Sequence, residues 1–240
     1  VKTIYSNTAA FAALMSDGSV VTWGLTWYGG DSSIVQEELT NGVKTIFSTK
    51  SAFAALKSDK SVVTWGFTGC GGDSSRVIEE LKDVATIYST ADAFAALNSD
   101  GSVVTWGAAT YGGDSSSVQE ILKGKRVKTM YSTGGAFAAL MLDKSVVTWG
   151  DVYKGGDSSS VQDELKDVDT IYSTQGALAA LMLDKSVVTW GHLMFGGDSG
   201  DVREELQGVK TIYSNRYSFA ALMVDNSVVT WGCRFSGGDS

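Results

Sequence analysis

Apolar positions along residues 1–42 fall into three short runs, each placing apolar side chains on both faces of a period-two pattern. In the first, Val1 to Ser6, Ile4 and Tyr5 point to opposite faces. In the second, Ala10 to Ser16, Phe11 and Ala13 lie on one face and Ala12 and Leu14 on the other. The third is Ser19 to Trp23, closed by Gly24. Short runs of this composition predict strands. Apolar groups on both faces predict sheets covered on both sides, and the small Ala residues predict close stacking. Asp17-Gly18, between the second and third runs, predicts a two-residue hairpin turn. After Gly24 the period changes. In SSIVQEEL, Val35 and Leu39 stand four apart, the stripe of a short helix. Asp31, Ser32 and Ser33 offer N-cap oxygens, Ser33 and Gln36 fit a capping box, and Glu37 and Glu38 sit near the helix start, where the dipole favours them.

This pattern recurs. Units begin at Val1, Val43, Val84, Val127, Val168 and Val209, giving six repeats of about 41 residues: 1–42, 43–83, 84–126, 127–167, 168–208 and 209–240. The last stops at Ser240, where its helix is expected to begin, so it lacks that helix. Such a period belongs to solenoids, propellers and arrays, in which each unit buries its apolar faces against its neighbours. Six tryptophans recur at the end of the third run (Trp23, Trp65, Trp106, Trp149, Trp190 and Trp231). At roughly 200 Å² each, they are expected to carry much of the contact between units. The turn after Asp17 is Asp-Gly in two units and Asp-Lys or Asp-Asn in the others. Lys fits φ > 0 poorly, so those turns are expected to differ in type.

The copies differ in two windows. One follows Trp-Gly: residues 25–28, 67–70, 108–111, 151–154, 192–195 and 233–236. The other follows the first strand: residues 7–9, 49–51, 90–92, 133–135, 174–176 and 215–217. With the first strand running up, the second down and the third up, both windows lie at one end of the unit and the Asp-containing turns at the other. Seven of the 24 positions in the first window are aromatic, against 10% of the chain. Aromatic residues and Arg are favoured at interfaces, and a fixed scaffold carrying varied loops is how binding surfaces are built. Drift of unconstrained surface loops is the competing explanation, and it predicts mostly small polar residues. The expected binding positions are Trp27, Tyr28, Phe67, Tyr111, Tyr153, Lys154, His192, Leu193, Met194, Phe195, Arg216, Tyr217, Arg234 and Phe235. Among these, Tyr28, Tyr111 and Phe195 hold the fourth position of the first window, where framework packing competes with display.

Composition narrows the function. A net charge of −8 argues against a phosphate-backbone binder. No apolar run approaches the ~20 residues of a membrane helix. Cys70 and Cys233 stand in the first windows of the second and sixth units at positions that other units fill with residues other than Cys, so no disulfide framework repeats and a reduced or neutral environment is favoured. The single histidine, His192, has no repeated partner, and no catalytic set is expected. The Asp residues after each Gly-Gly pair, Asp31 and its counterparts, suggest either helix capping or a carboxylate ring for Ca²⁺; capping is the simpler reading. No Cys/His spacing suits zinc and no phosphate loop is present, so no metal or cofactor is expected. The chain starts in phase with a unit and is read as a piece of something longer, which leaves its compartment open.

Through Ala12-Ala13-Leu14, Asp17-Gly18, Val20 and Trp23-Gly24, with their counterparts in all six units, the chain resembles the repeats of the regulator of chromosome condensation family. The resemblance implies a β-propeller with about one unit per blade. The compact period is more similar to the β-lactamase-inhibiting propellers of that superfamily than to the nuclear exchange factor. Two features depart from the family. Its usual His before the Ala-Leu strand is replaced by Ala10-Phe11, and its Gly-Gln-Leu-Gly after Trp-Gly is replaced by Gly-Gly-Asp-Ser. No insertion resembles the exchange factor's wedge and no basic tail is present, so a role in protein binding is carried over and nucleotide exchange is not.

The expectation is therefore a mainly β, six-bladed β-propeller forming a single domain over 1–240. Each blade would be a three-stranded antiparallel meander plus a short helix. An open or seven-bladed arrangement completed by missing sequence is the alternative. The expected function is a non-enzymatic recognition module whose variable face meets a protein, or a glycan, with no nucleic acid and no membrane insertion. The alternative is a structural accessory subunit of a larger multiprotein assembly.

Overall fold

The computed structural model describes residues 1–239. The chain divides into two compact units, Val1–Ser115 and Ser116–Ser240, each with three three-stranded antiparallel sheets in sequential order. The first unit holds β1 (Thr3–Ser6), β2 (Ala10–Leu14) and β3 (Val20–Gly24); β4 (Val43–Ser48), β5 (Ala52–Lys57) and β6 (Val62–Gly66); and β7 (Val84–Ser89), β8 (Ala93–Asn98) and β9 (Val103–Gly107). The second holds β10 (Val127–Ser132), β11 (Ala136–Met141) and β12 (Val146–Gly150); β13 (Val168–Ser173), β14 (Ala177–Met182) and β15 (Val187–Gly191); and β16 (Val209–Ser214), β17 (Ser218–Met223) and β18 (Val228–Gly232). These are the six blades expected from the three apolar runs. Residue 240, where the sixth repeat stops short of its expected helix, lies outside the described residues.

The alternation read in the sequence is the alternation of the packing. In the first unit, Ala10, Ala12, Leu14 and Val20 of one blade meet Ile46, Phe53, Ala55, Val63 and Trp65 of the next. The same face-to-face set recurs between the second and third blades, and twice within the second unit. Register pairs Phe53 with Trp65 and Ala54 with Thr64 across β5 and β6. The Phe and Trp rings stack at 5.3 Å between centroids. Alanines at the contact let the backbones of adjacent sheets approach closely, and little free space remains to be filled.

The tryptophans do more than fill space. Trp65 Nε1 donates to the carbonyl of Gly29 in the preceding blade at 3.0 Å, and Trp106, Trp190 and Trp231 repeat this bond on Gly71, Gly155 and Gly196. The contact sets the first glycine of the Gly-Gly pair. Gly71 has φ +94°, and a Cβ there would sit 2.5 Å from Phe94 Cδ2, so both backbone and space require glycine. Trp23 departs from the expected framework role. It stacks on Phe11 but is 43% exposed and carries no such bond, because no Gly-Gly carbonyl is packed against its ring.

The hairpin loops differ from the expected two-residue form. In the first blade Gly18 N donates to Met15 O and Met15 N to Ser19 O, which makes a three-residue loop, Ser16-Asp17-Gly18, with the last residue left-handed. All six blades share it. The turns with Lys or Asn do not differ in type: Lys60, Lys144, Lys185 and Asn226 have φ of 67–71°, in the same region as Gly18 and Gly101. Two interactions hold that conformation against its steric cost. The preceding Asp Oδ1 accepts from both the backbone N–H and the hydroxyl of the following Ser, as Asp143 does from Ser145. At Gly18, Lys60, Lys144 and Lys185 the left-handed residue's carbonyl also accepts from the Val that opens the next blade, Lys144 O from Val168 N at 3.1 Å and Gly18 O from Val43 N at 3.0 Å.

The segment between blades is helical but short. It is a 3-10 helix at Ser33–Leu39 in the first repeat, single turns elsewhere, and an α-helix, α1 (Gln119–Gly124), in the third. Its anchor is one buried leucine per repeat, Leu39, Leu81, Leu122, Leu165 or Leu206. The Asp after Gly-Gly supports the turn as expected: Asp31 Oδ1 accepts from Ser33 N at 2.9 Å, and Asp73, Asp157 and Asp198 repeat the bond. These N–H bonds hold the carboxyls of Asp31, Asp73 and Asp157 below the usual carboxylate range. The Ser33–Gln36 capping box is not formed. Gln36 instead lies against Ser32, whose buried hydroxyl is held by Thr22 of β3 at 3.0 Å. That link from strand to turn engages Gln36 through Ser32, while the N–H of Ser33 is held by Asp31.

Candidate binding face

The two variable windows of each blade are stapled together. The first residue of the second window, Asn7, Thr49, Thr90, Thr133, Thr174 or Asn215, donates through its side chain to the carbonyl of the last residue of the first window, Tyr28, Cys70, Tyr111, Lys154, Phe195 or Ser236, at 2.7–3.0 Å. The same side chain accepts from the N–H three residues on, through the hydroxyl oxygen in Thr49, from Ala52 at 3.0 Å, and through Oδ1 in Asn7 and Asn215, whose Nδ2 makes the carbonyl bond. A polar residue confined to Thr or Asn at the head of an otherwise variable window therefore fixes the loop. Neighbouring blades are joined here too: Thr8 N donates to Lys50 O and Lys50 N to Ala91 O in the first unit, while Gly134 N donates to Gln175 O and Gln175 N to Arg216 O in the second.

Each first window is a 3-10 turn that ends on a left-handed glycine, so its second and third residues project outward. In the first unit Trp27 is 74% exposed and its ring meets the exposed Phe67 edge-on at 6.3 Å. Tyr28 is half-buried against the core of its blade, and Tyr111 is likewise half-buried. Cys70 Sγ donates to Asp92 Oδ1 at 3.1 Å, joining a first window to the second window of the next blade. Burial, and then the Asp92 carboxylate, push the thiol up to about 12, so it stays protonated and is no nucleophile.

The second unit carries the denser aromatic cluster. His192 and Phe195 meet edge-on at 5.2 Å, Phe195 and Tyr217 lie 5.3 Å apart, and the Arg216 guanidinium stands 5.4 Å from the Tyr217 ring centre. His192 and Phe195 come from one blade's first window, and Arg216 and Tyr217 from the next blade's second. His192 Nδ1 accepts from Met194 N, which places the ring as a cap of its own turn. Phe195 packs inward on the core. Leu193, Met194 and Tyr153 are exposed, and Phe235 is 97% exposed. Lys154 is half-buried and pairs with Asp151 at 3.0 Å, whereas Arg234 is exposed and pairs with Asp239 at 2.7 Å. Among the described residues no group of three or more His, Cys, Asp or Glu is placed to hold a metal ion, and no helix is long and apolar enough to cross a membrane.

Three solved structures share the fold. Human WBSCR16 is 16% identical, with 96% of this chain and 76% of that one covered at a TM-score of 0.57. The CRINKLY WD40 ectodomain of the Arabidopsis thaliana receptor kinase ACR4 is 17% identical, with 97% and 81% covered at 0.51. Yeast RCC1 (Prp20), solved with Kap60 bound, is 17% identical, with 96% and 69% covered at 0.55. The binding of Prp20p to Gsp1p and histones accompanies a further structure of that protein. No protein-family model matches the chain, and no curated protein is similar to it in sequence. At these identities the likeness is one of fold. It agrees with the sequence resemblance: six three-stranded blades of the RCC1-like β-propeller type.

Proposed function

We propose that the chain is a protein-recognition module whose contacts are made by the paired variable windows. The observation that carries this reading is the stapling. In every blade one conserved hydrogen bond joins the two windows, so residues that differ from blade to blade are held on a common, ordered support. Ordered loops lose less entropy on binding than free ones. The side chains projecting from them include Trp27, Tyr153, Arg216, Tyr217 and Phe235, residue types that anchor interfaces. Yeast RCC1 (Prp20), which shares the fold, binds proteins, and this supports a protein as the partner. The net charge of −8 supports a partner other than nucleic acid.

The test is replacement of Tyr153, Arg216, Tyr217 and Phe235 by Ala, singly and together, followed by measurement of affinity for a partner that co-purifies with the intact protein. Single replacements at anchors are expected to cost about 1–3 kcal/mol each, a loss of roughly five- to 150-fold in affinity. Unchanged affinity in the fourfold variant would overturn the assignment.

A further inference from the structure

In the first unit a groove of about 630 Å³ opens beside the Trp27 turn, within the size range of ligand pockets. Its apolar lining includes Trp27, Ile34 and Ile78 above Val63 and Trp65; Ile34 is 98% exposed and Ile78 42%. Neither isoleucine belongs to the buried stripe, which is built from Val35, Val77 and the anchoring leucines Leu39 and Leu81. Three carboxylates, Asp31, Glu38 and Asp73, line the groove, and no Lys, Arg or His does. Asp31 and Asp73 are held below the usual carboxylate range by backbone N–H groups and stay charged at neutral pH.

The repeat supplies its own control. The equivalent groove in the second unit measures about 430 Å³. Ser160 stands there at the position of Ile34, Glu164 at that of Glu38, and Arg203 at that of Ile78. Arg203 closes on Glu164 at 2.6 Å, so charge is neutralised within the chain and the apolar pair is absent. The scaffold therefore does not require isoleucines or an unpaired Glu38 at these positions. In the first unit the two changes together leave an apolar slot lined by three carboxylates, with the nearest cations, Arg76 beside Asp73 and Lys57 on the Glu38 carbonyl, outside the lining.

We propose that this groove seats a large apolar side chain of a peptide segment in a protein partner, with a Lys or Arg beside it facing Asp31, Glu38 and Asp73. Aliphatic and indole surface would bury the anchor, and the carboxylates would select the charge of its neighbours. The inference rests on the reading of the adjoining face as a protein-binding surface and names the chemistry recognised there.

The experiment uses the full ¹⁵N-labelled chain and two capped peptides, acetyl-Lys-Leu-Phe-Leu-Lys-amide and acetyl-Glu-Leu-Phe-Leu-Glu-amide. It follows the indole N–H resonance of Trp27, assigned by Trp27→Phe. The basic peptide is expected to shift that resonance saturably. It should bind at least about tenfold more tightly than the acidic one, and lose at least about tenfold in affinity in Ile78→Arg, which installs the arrangement of the second unit. Ile34→Ser, at a fully exposed position, should weaken binding in the same direction. Unshifted indole resonances of Trp106 and Trp231, which lie outside the groove, report that the variants remain folded. The proposal is overturned by no Trp27 shift, by equal affinity for the two peptides, or by Ile78→Arg binding unchanged. It is also overturned by self-association of the chain that Ile78→Arg abolishes, which would place a second copy in the groove. The broader reading fails separately: Tyr217→Ala and Phe235→Ala lie in the other unit and leave the groove intact. A native partner lost with them but kept by Ile78→Arg would remove the groove alone.

Discussion

Replacing Trp65 by Phe tests how adjacent blades are joined. The ring is 4% exposed, stacks on Phe53, and donates to Gly29 O of the preceding blade. Phenylalanine keeps the stack and loses two things. The carbonyl of a buried glycine loses its donor, at about 1–2 kcal/mol. About a quarter of the ~200 Å² that a buried indole removes from water is also lost, roughly 50 Å² or about 1.3 kcal/mol at ~25 cal/mol per Å². The sum is about 3 kcal/mol, before any residual cavity. Trp23→Phe is the internal control: the same chemical change in the same strand position, on a ring that is half-exposed and has no such bond, should cost less than ~1 kcal/mol. Because repeat stability is a sum of unit and interface contributions, urea unfolding should be combined with hydrogen exchange of the Ala54 and Ala55 amides, which reads the affected blade. Equal costs for the two variants, or a Trp65→Phe cost within ~0.5 kcal/mol of zero, would refute the assignment of the indole bond as a principal tie between blades.

Two further substitutions probe the hairpin end. Lys144→Gly relieves a left-handed lysine (φ 67°) while keeping the carbonyl that receives Val168 N, and should raise stability by about 0.5–1 kcal/mol, read as a higher Tm. Asp143 is held at about 2, below its ordinary 3.8, by the Lys125 ammonium and then the Ser145 hydroxyl and N–H. A depressed carboxyl stabilises the fold above its unfolded pKa and ceases to do so as pH falls through the folded value. The stability gap between wild type and Asp143→Asn, measured by urea unfolding, should therefore be present at neutral pH and close as pH falls from about 4 to about 2. Half-exposure of both partners keeps that gap small, and salt should shrink it further.

Much of this architecture was legible in the sequence, because strand faces are fixed by a period of two and each face here is marked by a repeated residue type. Phe11 with Ala13 and Ala12 with Leu14 predicted a sheet with two apolar faces, and the Ala12–Leu14 face packs on the next blade. What was not legible depends on contacts distant in sequence. Asp-Gly suits a two-residue or a three-residue loop equally; the three-residue loop carries the Asp-to-Ser bond in every blade, and Lys60, Lys144 and Lys185 each also receive the Val that opens the next blade. The capping box failed because Gln36 meets the hydroxyl of Ser32, which Thr22, ten residues before Ser32, holds against β3. For the binding face, the co-location of the windows followed from strand direction, but the staple did not. Its signal was available: Thr or Asn alone heads every second window. The groove was missed because Ile34 and Ile78 lie off the Val35–Leu39 stripe, and only the exposure of both beside Trp27 brings them together.

The central claim is that partners meet the windows and not the opposite, hairpin end. Hydrogen exchange of the chain alone and in complex with its native partner tests this most directly. The predicted result is slowed exchange in the turns at residues 25–28, 67–70, 192–195 and 215–217, with the loops around Asp17, Asp59, Asp143 and Asp184 unchanged. Protection confined to those Asp-containing loops, with the windows exchanging as in the free chain, would contradict it.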